Sequence, residues 1–176
     1  MMQESSMRAS LFGKHPLSSE YLYIGESSPF VNSIVSWVQV GYEALLKKRR
    51  KDISDVLHHL YFANNMGESF VCATLKMSKD SKGRVYPLIL LVEVTSTQKS
   101  QNYSTLWSRN VEIFKEMESL ERVEHLLRYY RVEAREERKF LDLDENILSA
   151  FINEEFLIDK KFYTSIQVDD FIEMMR

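Results

Sequence analysis

One cysteine and four histidines are the side chains in this chain best suited to act as nucleophile, base or metal ligand. The Cys72 thiol could act as a nucleophile if a histidine served as its base, and the candidates are His58, His59 and His125. His58 and His59 are adjacent, so on a helix they would point about 100° apart and could not share a metal ion. A lone cysteine forms neither an intrachain disulfide nor a thiolate metal site. We therefore predict a buried, structural Cys72 and no catalytic, cofactor or metal site.

Charged residues offer further candidates. The basic run Lys47–Lys51 could contact acidic protein, anionic lipid or nucleic acid, but positive charge also stabilises the end of a helix, and we favour that interpretation. The carboxylate pairs Asp142/Asp144 and Asp169/Asp170 stand at predicted helix starts, where capping accounts for them. With a net charge of −3, the chain lacks the positive excess that is typical of nucleic-acid-binding domains.

Length and composition bound the class of protein. The chain has 176 residues, of which 44% are hydrophobic and 28% charged, as in ordinary globular domains, so we expect a single domain over residues 1–176. The longest apolar run, Leu88–Val92, is far shorter than the ~20 residues that span a bilayer. Residues 1–13 contain no apolar segment of the signal-peptide type. These features predict a cytoplasmic protein without a membrane span.

Hydrophobic patterning places most predicted strands in residues 1–100. Arg8–Gly13 and Glu20–Ile24 have strand composition. Phe70–Met77 followed by Val85–Val94 predicts a β-hairpin whose second strand is covered on both faces. Pro87 lies inside that strand without an N–H donor, so we expect a bulge or a local sheet edge at this point.

Helical signals lie on both sides of this hairpin. Ser28 and Pro29 are typical of an N-cap and a first helical turn. Gly41, inside that helix, destabilises it by about 1 kcal/mol relative to alanine, so we expect another backbone to pass close by. A shorter helix is predicted from near Ser54 to Phe62. Beyond residue 100, apolar residues seven apart predict one long helix or two joined near Ser119; they are Leu106, Ile113, Leu120 and Leu127.

Three further elements are predicted near the C-terminus. Asp142 and Glu145 form a variant of the capping box, which predicts a helix through Phe151. Phe162–Ile166 has the composition of a short strand. Asp169 could cap a terminal helix. Residues 101–176 are therefore expected to be mainly helical.

Three segments together resemble a known family. Residues 78–88, SKDSKGRVYPL, match the pattern S-x-D-x-x-G-R-x-[FY]-P-L, which is the specific part of the resemblance. Gly13–Pro16 is similar to a G-K-x-P element; the family usually follows it with G-D-F, where this chain has Ser19–Tyr21. Ser36–Gln39 is similar to a tryptophan-containing stretch of the first helix. These segments, in this order, resemble the TagF (also ImpM or SciT) accessory proteins of bacterial type VI secretion.

The resemblance implies a function and a fold. It implies a cytoplasmic, non-catalytic regulator that restrains assembly or firing of the secretion apparatus after translation. Its partners would be proteins of that system, among them a forkhead-associated scaffold protein. The implied fold is α/β (α+β), a mainly antiparallel sheet flanked by helices and comparable to longin or profilin-like folds. Residues 1–100 would supply the sheet and the first helices.

The shared turn carries more polar groups than a hairpin needs. Asp80 can accept hydrogen bonds from N–H groups of the turn, and Arg84 can then pair with Asp80 or Glu20 and hold two loops together. We therefore predict one polar cluster at one end of the sheet, made of Lys14, Glu20, Asp80 and Arg84. It would serve either as a clasp between loops or as a surface that binds a partner.

Two alternative functions follow from the same residues. The acidic second half of the chain could be the docking surface of a structural or chaperone-like component of the same apparatus. The third, less favoured interpretation is a hydrolase or redox enzyme that uses Cys72 with a histidine. Burial of Cys72 away from any histidine would count against that enzyme.

Overall fold

The computed structural model describes residues 6–48, 56–64, 69–95, 103–132 and 141–176. Within them, seven strands pair antiparallel into one sheet, in the spatial order two, one, five, four, three, six, seven. The strands are β1 (Ser6–Gly13), β2 (Leu22–Gly25), β3 (His58–Ala63), β4 (Ser69–Lys79), β5 (Val85–Thr95), β6 (Ser149–Ile152) and β7 (Ile158–Phe162). The helices of the described part are α1 (Pro29–Lys47), α2 (Tyr103–Lys115), α3 (Leu120–Arg128) and α4 (Val168–Met174).

The sheet separates two layers of helices. α1 and α4 pack on one face, where they cover side chains such as Leu60 and Leu91. α2 and α3 pack on the other face, over Leu11 and Val92. Because both faces are covered, the sheet has a core on each side. The expected α/β class, with a mainly antiparallel sheet flanked by helices, is confirmed.

β5 is the central strand, between β1 and β4. Its residues from Tyr86 to Val94 are all buried, as expected for a strand covered on both faces. Pairing with β1 stops at Leu88, opposite Gly13, so Pro87 lies one residue beyond that ladder. The local edge predicted at Pro87 is therefore present.

Helix α1 begins where its sequence predicts. Ser28 Oγ accepts a hydrogen bond from the N–H of Val31 at 3.2 Å, and Pro29 occupies the first turn. A Cβ built at Gly41 would overlap Cγ of Phe171 on α4. The close neighbour required at Gly41 is thus a phenyl ring from the end of the chain and not a second backbone.

The residues spaced by seven form two helices, α2 and α3. Ser119 separates them and caps α3, since its Oγ accepts from the N–H of Arg122 at 3.1 Å. The buried face of α2 carries Asn110, whose amide donates to Thr74 Oγ1 at 3.1 Å and accepts from the Tyr130 hydroxyl at 2.8 Å. These bonds fix α2 to β4 and to the residues after α3.

The helix predicted from near Ser54 to Phe62 is wrong over the part that the structure describes, because His58–Ala63 form β3; residues 54 and 55 lie outside the described ranges. Leu60 and Phe62 face the α1 layer, whereas Tyr61 faces the α2 layer. Since both faces are buried, apolar residues are consecutive, and periodicity does not separate a strand from a helix. Pairing with β4 and β6 makes the segment a strand.

The helix predicted from Asp142 through Phe151 is also wrong, because Ser149–Ile152 form β6. Upstream of it, Asp144 Oδ1 accepts from the N–H of Asn146 at 2.8 Å and closes a turn. β6 then pairs with β3 and β7. The second half of the chain therefore supplies two strands to the sheet in addition to its helices.

The C-terminal strand and helix differ from prediction in their bounds. The strand predicted at Phe162–Ile166 lies earlier, as β7, and ends at Phe162. The predicted terminal helix is α4, but its N-cap is Gln167 and not Asp169. Asp170 Oδ2 accepts from the N–H of Gln167 at 2.7 Å, so an acidic side chain still stabilises this helix start.

The basic run ends α1, as predicted for its first residues. Lys47 lies in the last turn and Lys48 is the C-cap, whereas residues 49–51 lie outside the described ranges. Positive charge therefore stands at the negative end of the helix macrodipole. Among the described helices, none has both the length and the apolar character that a membrane span requires.

Candidate functional site

Two loops meet at one end of the sheet. One follows β1 and comprises residues 14–21; the other is the turn between β4 and β5, residues 80–84. The N–H of Ser81 in the turn donates to the carbonyl oxygen of Ser18 in the loop at 2.9 Å. The residues of the predicted polar cluster all lie in these two segments.

Asp80 is the centre of the polar contacts. Its Oδ1 accepts from the N–H of Lys82 at 2.9 Å and from the N–H of Arg84 at 2.8 Å. Its Oδ2 accepts from Arg84 Nε at 2.7 Å and lies 3.4 Å from Lys14 Nζ. Asp80 is only 3% exposed and Lys14 7%, so this is a buried carboxylate surrounded by donors. We name Lys14, Asp80 and Arg84 the clasp.

The pKa of Asp80 reflects these donors. Burial by itself would raise the pKa of the carboxyl, because it disfavours the charged form. The hydrogen bonds from the backbone and side chain of Arg84 and from the N–H of Lys82, with the charge of Arg84, outweigh burial and lower the pKa of Asp80 to about 2. The carboxylate is therefore ionised throughout the physiological range.

Arg84 joins the turn to the loop after β1. Its Nη2 donates to the carbonyl oxygen of Ser19 at 2.6 Å while its Nε is held by Asp80. The side chain of Arg84 is nevertheless 53% exposed. A guanidinium bound at two nitrogens and open to solvent on its other side is a fixed donor on the surface.

Glu20 does not join the clasp. Its backbone N–H donates to Ser18 Oγ at 3.1 Å, and its carboxylate makes no hydrogen bond or ion pair with the described residues. The part of the loop that Arg84 binds is the preceding carbonyl, of Ser19. The structure therefore brings together Lys14, Asp80 and Arg84. Of the two partners predicted for Arg84, Asp80 pairs with it and Glu20 does not.

Gly83 allows the turn to close around Asp80. Its φ is +78°, in the left-handed region where side chains are disfavoured. Its N–H donates to the carbonyl oxygen of Asp80 at 3.0 Å. Gly83 therefore gives the turn a backbone conformation that a residue with a side chain would adopt only with strain.

An aromatic cluster lies against the clasp and was missed from the sequence. Lys14 Nζ lies 4.8 Å from the centroid of the Tyr21 ring, which packs edge-on against Tyr86 at 4.9 Å. Tyr42 of α1 packs on Tyr86 at 4.9 Å, and its hydroxyl donates to the carbonyl oxygen of Val85 at 3.0 Å. Burial raises the pKa of Tyr86 and of Tyr42. The sequence signal for this cluster is the pair of tyrosines that flanks Leu22, which by itself indicates only a strand.

The residues considered for nucleophilic chemistry lie elsewhere. Cys72 is fully buried in β4. His59 is buried beside Thr74, with Nδ1 2.9 Å from Thr74 Oγ1, and burial, followed by the neighbouring His58, lowers the pKa of His59 to about 4. His125 lies on α3 and packs against Tyr129, the C-cap of that helix, at 4.8 Å between ring centroids. Burial also lowers the pKa of His58, although the negative charges of Glu154 and Asp159 act in the opposite direction.

His15 serves the loop after β1. Its Nδ1 accepts from the N–H of Leu17 at 3.1 Å, which holds the chain where it turns at Pro16. Burial and the charge of Lys76 lower the pKa of His15. Within the described ranges, no group of three or more histidine, cysteine or acidic side chains is placed to hold a metal ion.

Comparisons with known proteins agree on a family and a fold. The family model of the TagF N-terminal domain, type VI secretion system-associated, matches residues 10–138. The crystal structure of PA0076 from Pseudomonas aeruginosa PAO1, at 2.05 Å resolution, has a TM-score of 0.68 with this chain at 14% sequence identity. The match covers 95% of this chain and 93% of that protein, and at this identity it shows the fold alone. No curated protein sequence matches the chain.

Proposed function

The chain belongs to the TagF family of type VI secretion system-associated proteins, and from this premise we propose that it is a non-catalytic regulator that binds another protein of that system. We propose that the binding surface consists of Arg84, the exposed member of the clasp, together with the exposed residues Tyr21 and Val85. The partner that the family resemblance implies is a forkhead-associated scaffold protein in the cytoplasm.

This proposal rests on Arg84, whose guanidinium is held in place while its side chain is exposed to solvent. Asp80 and the Ser19 carbonyl hold two nitrogens of its guanidinium, while about half of the side chain stays open to solvent. A free surface arginine loses side-chain entropy when a partner immobilises it. Arg84 has already lost much of that freedom on folding, so it is prepared for binding.

The neighbours of Arg84 also favour binding. Tyr21 is 52% exposed and Val85 39%, and the Tyr21 ring rests over Lys14 Nζ. Tyrosine and arginine are the residue types that often dominate the energy of protein interfaces. Exposed apolar side chains beside a hydrogen-bond donor that is held in place are typical of protein-binding surfaces.

The burial of Cys72 supports a non-catalytic role. A nucleophilic thiol needs a partly exposed, electropositive setting, whereas Cys72 is fully enclosed in the core. His59, on the adjacent strand, directs Nδ1 at Thr74. These surroundings favour a structural cysteine over an enzyme.

The test uses pairs of matched variants in the host bacterium. Tyr21→Ala and Val85→Glu alter the proposed surface without removing the clasp. Tyr163→Ala and Leu157→Glu are the controls, because those residues are 54% and 45% exposed and lie after and before β7. Each variant replaces the chromosomal copy, and we measure secretion of the tube protein, co-purification of the forkhead-associated scaffold and the thermal midpoint of the purified chain.

We expect the two surface variants to lose at least tenfold in scaffold binding and to release secretion from restraint. Val85→Glu should keep the thermal midpoint of Leu157→Glu, whereas Tyr21→Ala also loses the ring contacts with Lys14 and Tyr86 and should have a lower midpoint than Tyr163→Ala. Equal scaffold binding by all four variants would refute the proposed surface. If the wild-type chain instead co-purifies with sheath or baseplate subunits, the structural or chaperone-like alternative replaces the regulator.

A further inference from the structure

A cavity of about 400 Å³ opens between α1, the sheet and the segment before α4. α1 contributes Phe30, Ile34 and Trp37 to its lining, and β3 contributes Phe62. The cavity lies where β3 ends and β6 begins, whereas the clasp lies where β4 ends. Because β3 and β4 are antiparallel, the cavity and the clasp are at opposite ends of the sheet.

The chemistry of the lining indicates the class of ligand. None of the described residues that line this cavity is charged. A charged ligand would lose hydration there without gaining a counter-charge, which is unfavourable. The lining carries three aromatic side chains, Phe30, Trp37 and Phe62, and aromatic side chains pack favourably against the face or edge of another ring. These walls favour a neutral aromatic ligand.

Trp37 is a wall of the cavity that is already held in place. Its indole Nε1 donates to the carbonyl oxygen of Gln167 at 2.9 Å. Its ring packs edge-on against Phe62, with 5.9 Å between the ring centroids. Because these two contacts fix the orientation of the indole, little side-chain entropy is lost when a ligand packs against it.

Ser149, the first residue of β6, brings a hydroxyl without a partner to this cavity. Its side chain is on the α1 side of the sheet, because Phe151, two residues later in the same strand, packs in that layer. Ser149 is 2% exposed, and its Oγ forms no hydrogen bond with any described residue. A buried hydroxyl without a partner is unfavourable, so a ligand that bonds to it gains an interaction that the described chain does not supply.

The volume of the cavity indicates the size of the ligand. A dry cavity of about 150 Å³ is sufficient for one benzene ring, and small-molecule sites in proteins occupy about 300–1,000 Å³. At about 400 Å³, this cavity is within the range of small-molecule sites and is larger than one ring requires. It therefore fits a two-ring compound better than a single aromatic side chain of a partner protein.

We propose that this cavity binds a neutral, two-ring aromatic small molecule whose oxygen substituent forms a hydrogen bond with Ser149 Oγ. The rings of the ligand pack against Trp37 and Phe62, and burial of their apolar surface supplies most of the affinity. The hydrogen bond supplies selectivity for a compound that carries the oxygen. This site goes beyond the proposed regulatory function and is separate from the clasp.

Three matched probes test this proposal on the whole chain at neutral pH. They are 2-naphthol, naphthalene and naphthalene-2-sulfonate, which share the two rings and differ in the oxygen substituent and in charge. Titration followed by NMR measures the affinity for each probe. The indole N–H resonance of Trp37 reports on the cavity, and that of Trp107, which is buried on the other side of the sheet, is the reference.

Two pairs of variants accompany the probes. Ser149→Ala removes the hydroxyl, and Ser10→Ala is its control, because Ser10 is equally buried, has no partner for its Oγ among the described residues and does not line the cavity. Ser33→Trp places an indole at the cavity. Ser36→Trp is its control, because Ser36 is exposed on the same helix and does not line the cavity. The thermal midpoint of each variant verifies that it folds.

We expect 2-naphthol to shift the resonance of Trp37 and to leave that of Trp107 unchanged. Ser149→Ala should weaken 2-naphthol binding about fivefold, as expected for the loss of one hydrogen bond, without changing naphthalene binding, and Ser10→Ala should change neither. The sulfonate should bind at least tenfold more weakly than 2-naphthol. Ser33→Trp should weaken the binding of 2-naphthol at least tenfold, whereas Ser36→Trp should not.

An unchanged Trp37 resonance with 2-naphthol, equal affinity of Ser149→Ala and the wild type for it, or equal binding of the sulfonate would overturn the proposal. A nuclear Overhauser contact between the Met66 methyl group and the Trp37 indole in the free chain would assign the cavity to the chain's own residues, and would also overturn it. None of these results affects scaffold binding through Tyr21 and Val85, so the two proposals fail independently.

Discussion

Lys14 Nζ lies 3.4 Å from Asp80 Oδ2, and this pair joins the loop after β1 to the turn after β4. Both side chains are almost fully buried, so each needs the other as a partner. Arg84 adds a second cation on the exposed side of the same carboxylate. At this end of the sheet the Lys14–Asp80 pair is therefore buried, whereas the guanidinium of Arg84 is exposed to solvent.

Acid stability should depend on Asp80. Its pKa is about 2 in the folded chain against 3.8 for a free side chain, so its contribution is complete above the unfolded value and is lost as the pH falls through about 2. Asp80→Asn does not titrate, and we expect its free energy of unfolding to fall less steeply between about pH 4 and 2 than that of the wild type. Urea unfolding at stepped pH measures both slopes. A slope for Asp80→Asn similar to that of the wild type would contradict the prediction.

Gly41→Ala should destabilise the chain, although alanine favours helices by about 1 kcal/mol over glycine. The new Cβ would overlap the Phe171 ring close to its attachment to the backbone, and we expect a loss of about 1–3 kcal/mol from overpacking. Ser36→Ala, on the exposed side of the same helix, should be neutral or slightly stabilising. Chemical denaturation compares the two, and a Gly41→Ala variant as stable as Ser36→Ala would show that α4 moves aside freely.

The buried amide of Asn110 should matter more than the exposed amide of Asn32, although each accepts a tyrosine hydroxyl. Asn110→Leu removes the bonds to Tyr130 and Thr74 in a fully buried place, and we expect a loss of about 1–3 kcal/mol. Asn32→Leu removes a bond at the surface and should cost less than about 0.5 kcal/mol. Equal losses in urea unfolding would mean that the bonds of Asn110 are replaced after substitution.

A chain that ends at residue 138, where the family match ends, should not fold cooperatively. It lacks β6, which pairs with β3, and Phe171, which packs on Gly41. Trp37 also loses the carbonyl of Gln167, to which its Nε1 donates at 2.9 Å. We expect a broad urea transition and loss of near-ultraviolet circular dichroism. A sharp transition at the wild-type midpoint would show that the last three elements are dispensable.

Local signals in the sequence were sufficient for some elements. Ser28 and Pro29 specify a helix start by their own chemistry, and the β4–β5 hairpin follows from two apolar segments around a polar turn with Gly83. The bond between Asp80 and Arg84 lies within four residues of chain, so it could also be predicted. These features depend on near neighbours, which a sequence displays directly.

Other elements depend on partners that are distant in sequence. β3 is a strand because β4 and β6 supply its hydrogen bonds, and its own residues fit a helix as well. The prediction that Glu20 joins the polar cluster was wrong, because the way the two loops meet brings the carbonyl of Ser19 to Arg84. The tyrosines of the aromatic cluster come from the loop after β1, from α1 and from β5, and only the folded sheet brings them together.

The positions of β6, β7 and α4 determine when the nascent chain can finish folding on the ribosome. Residues up to Thr95 already contain β1 to β5, whereas the edge of β3 and the groove at Gly41 wait for residues near the C-terminus. Synthesis at roughly 5–20 residues per second leaves these apolar surfaces uncovered for several seconds. Until β6, β7 and α4 have been synthesised, these apolar surfaces of the growing polypeptide are open to other contacts, including those with chaperones.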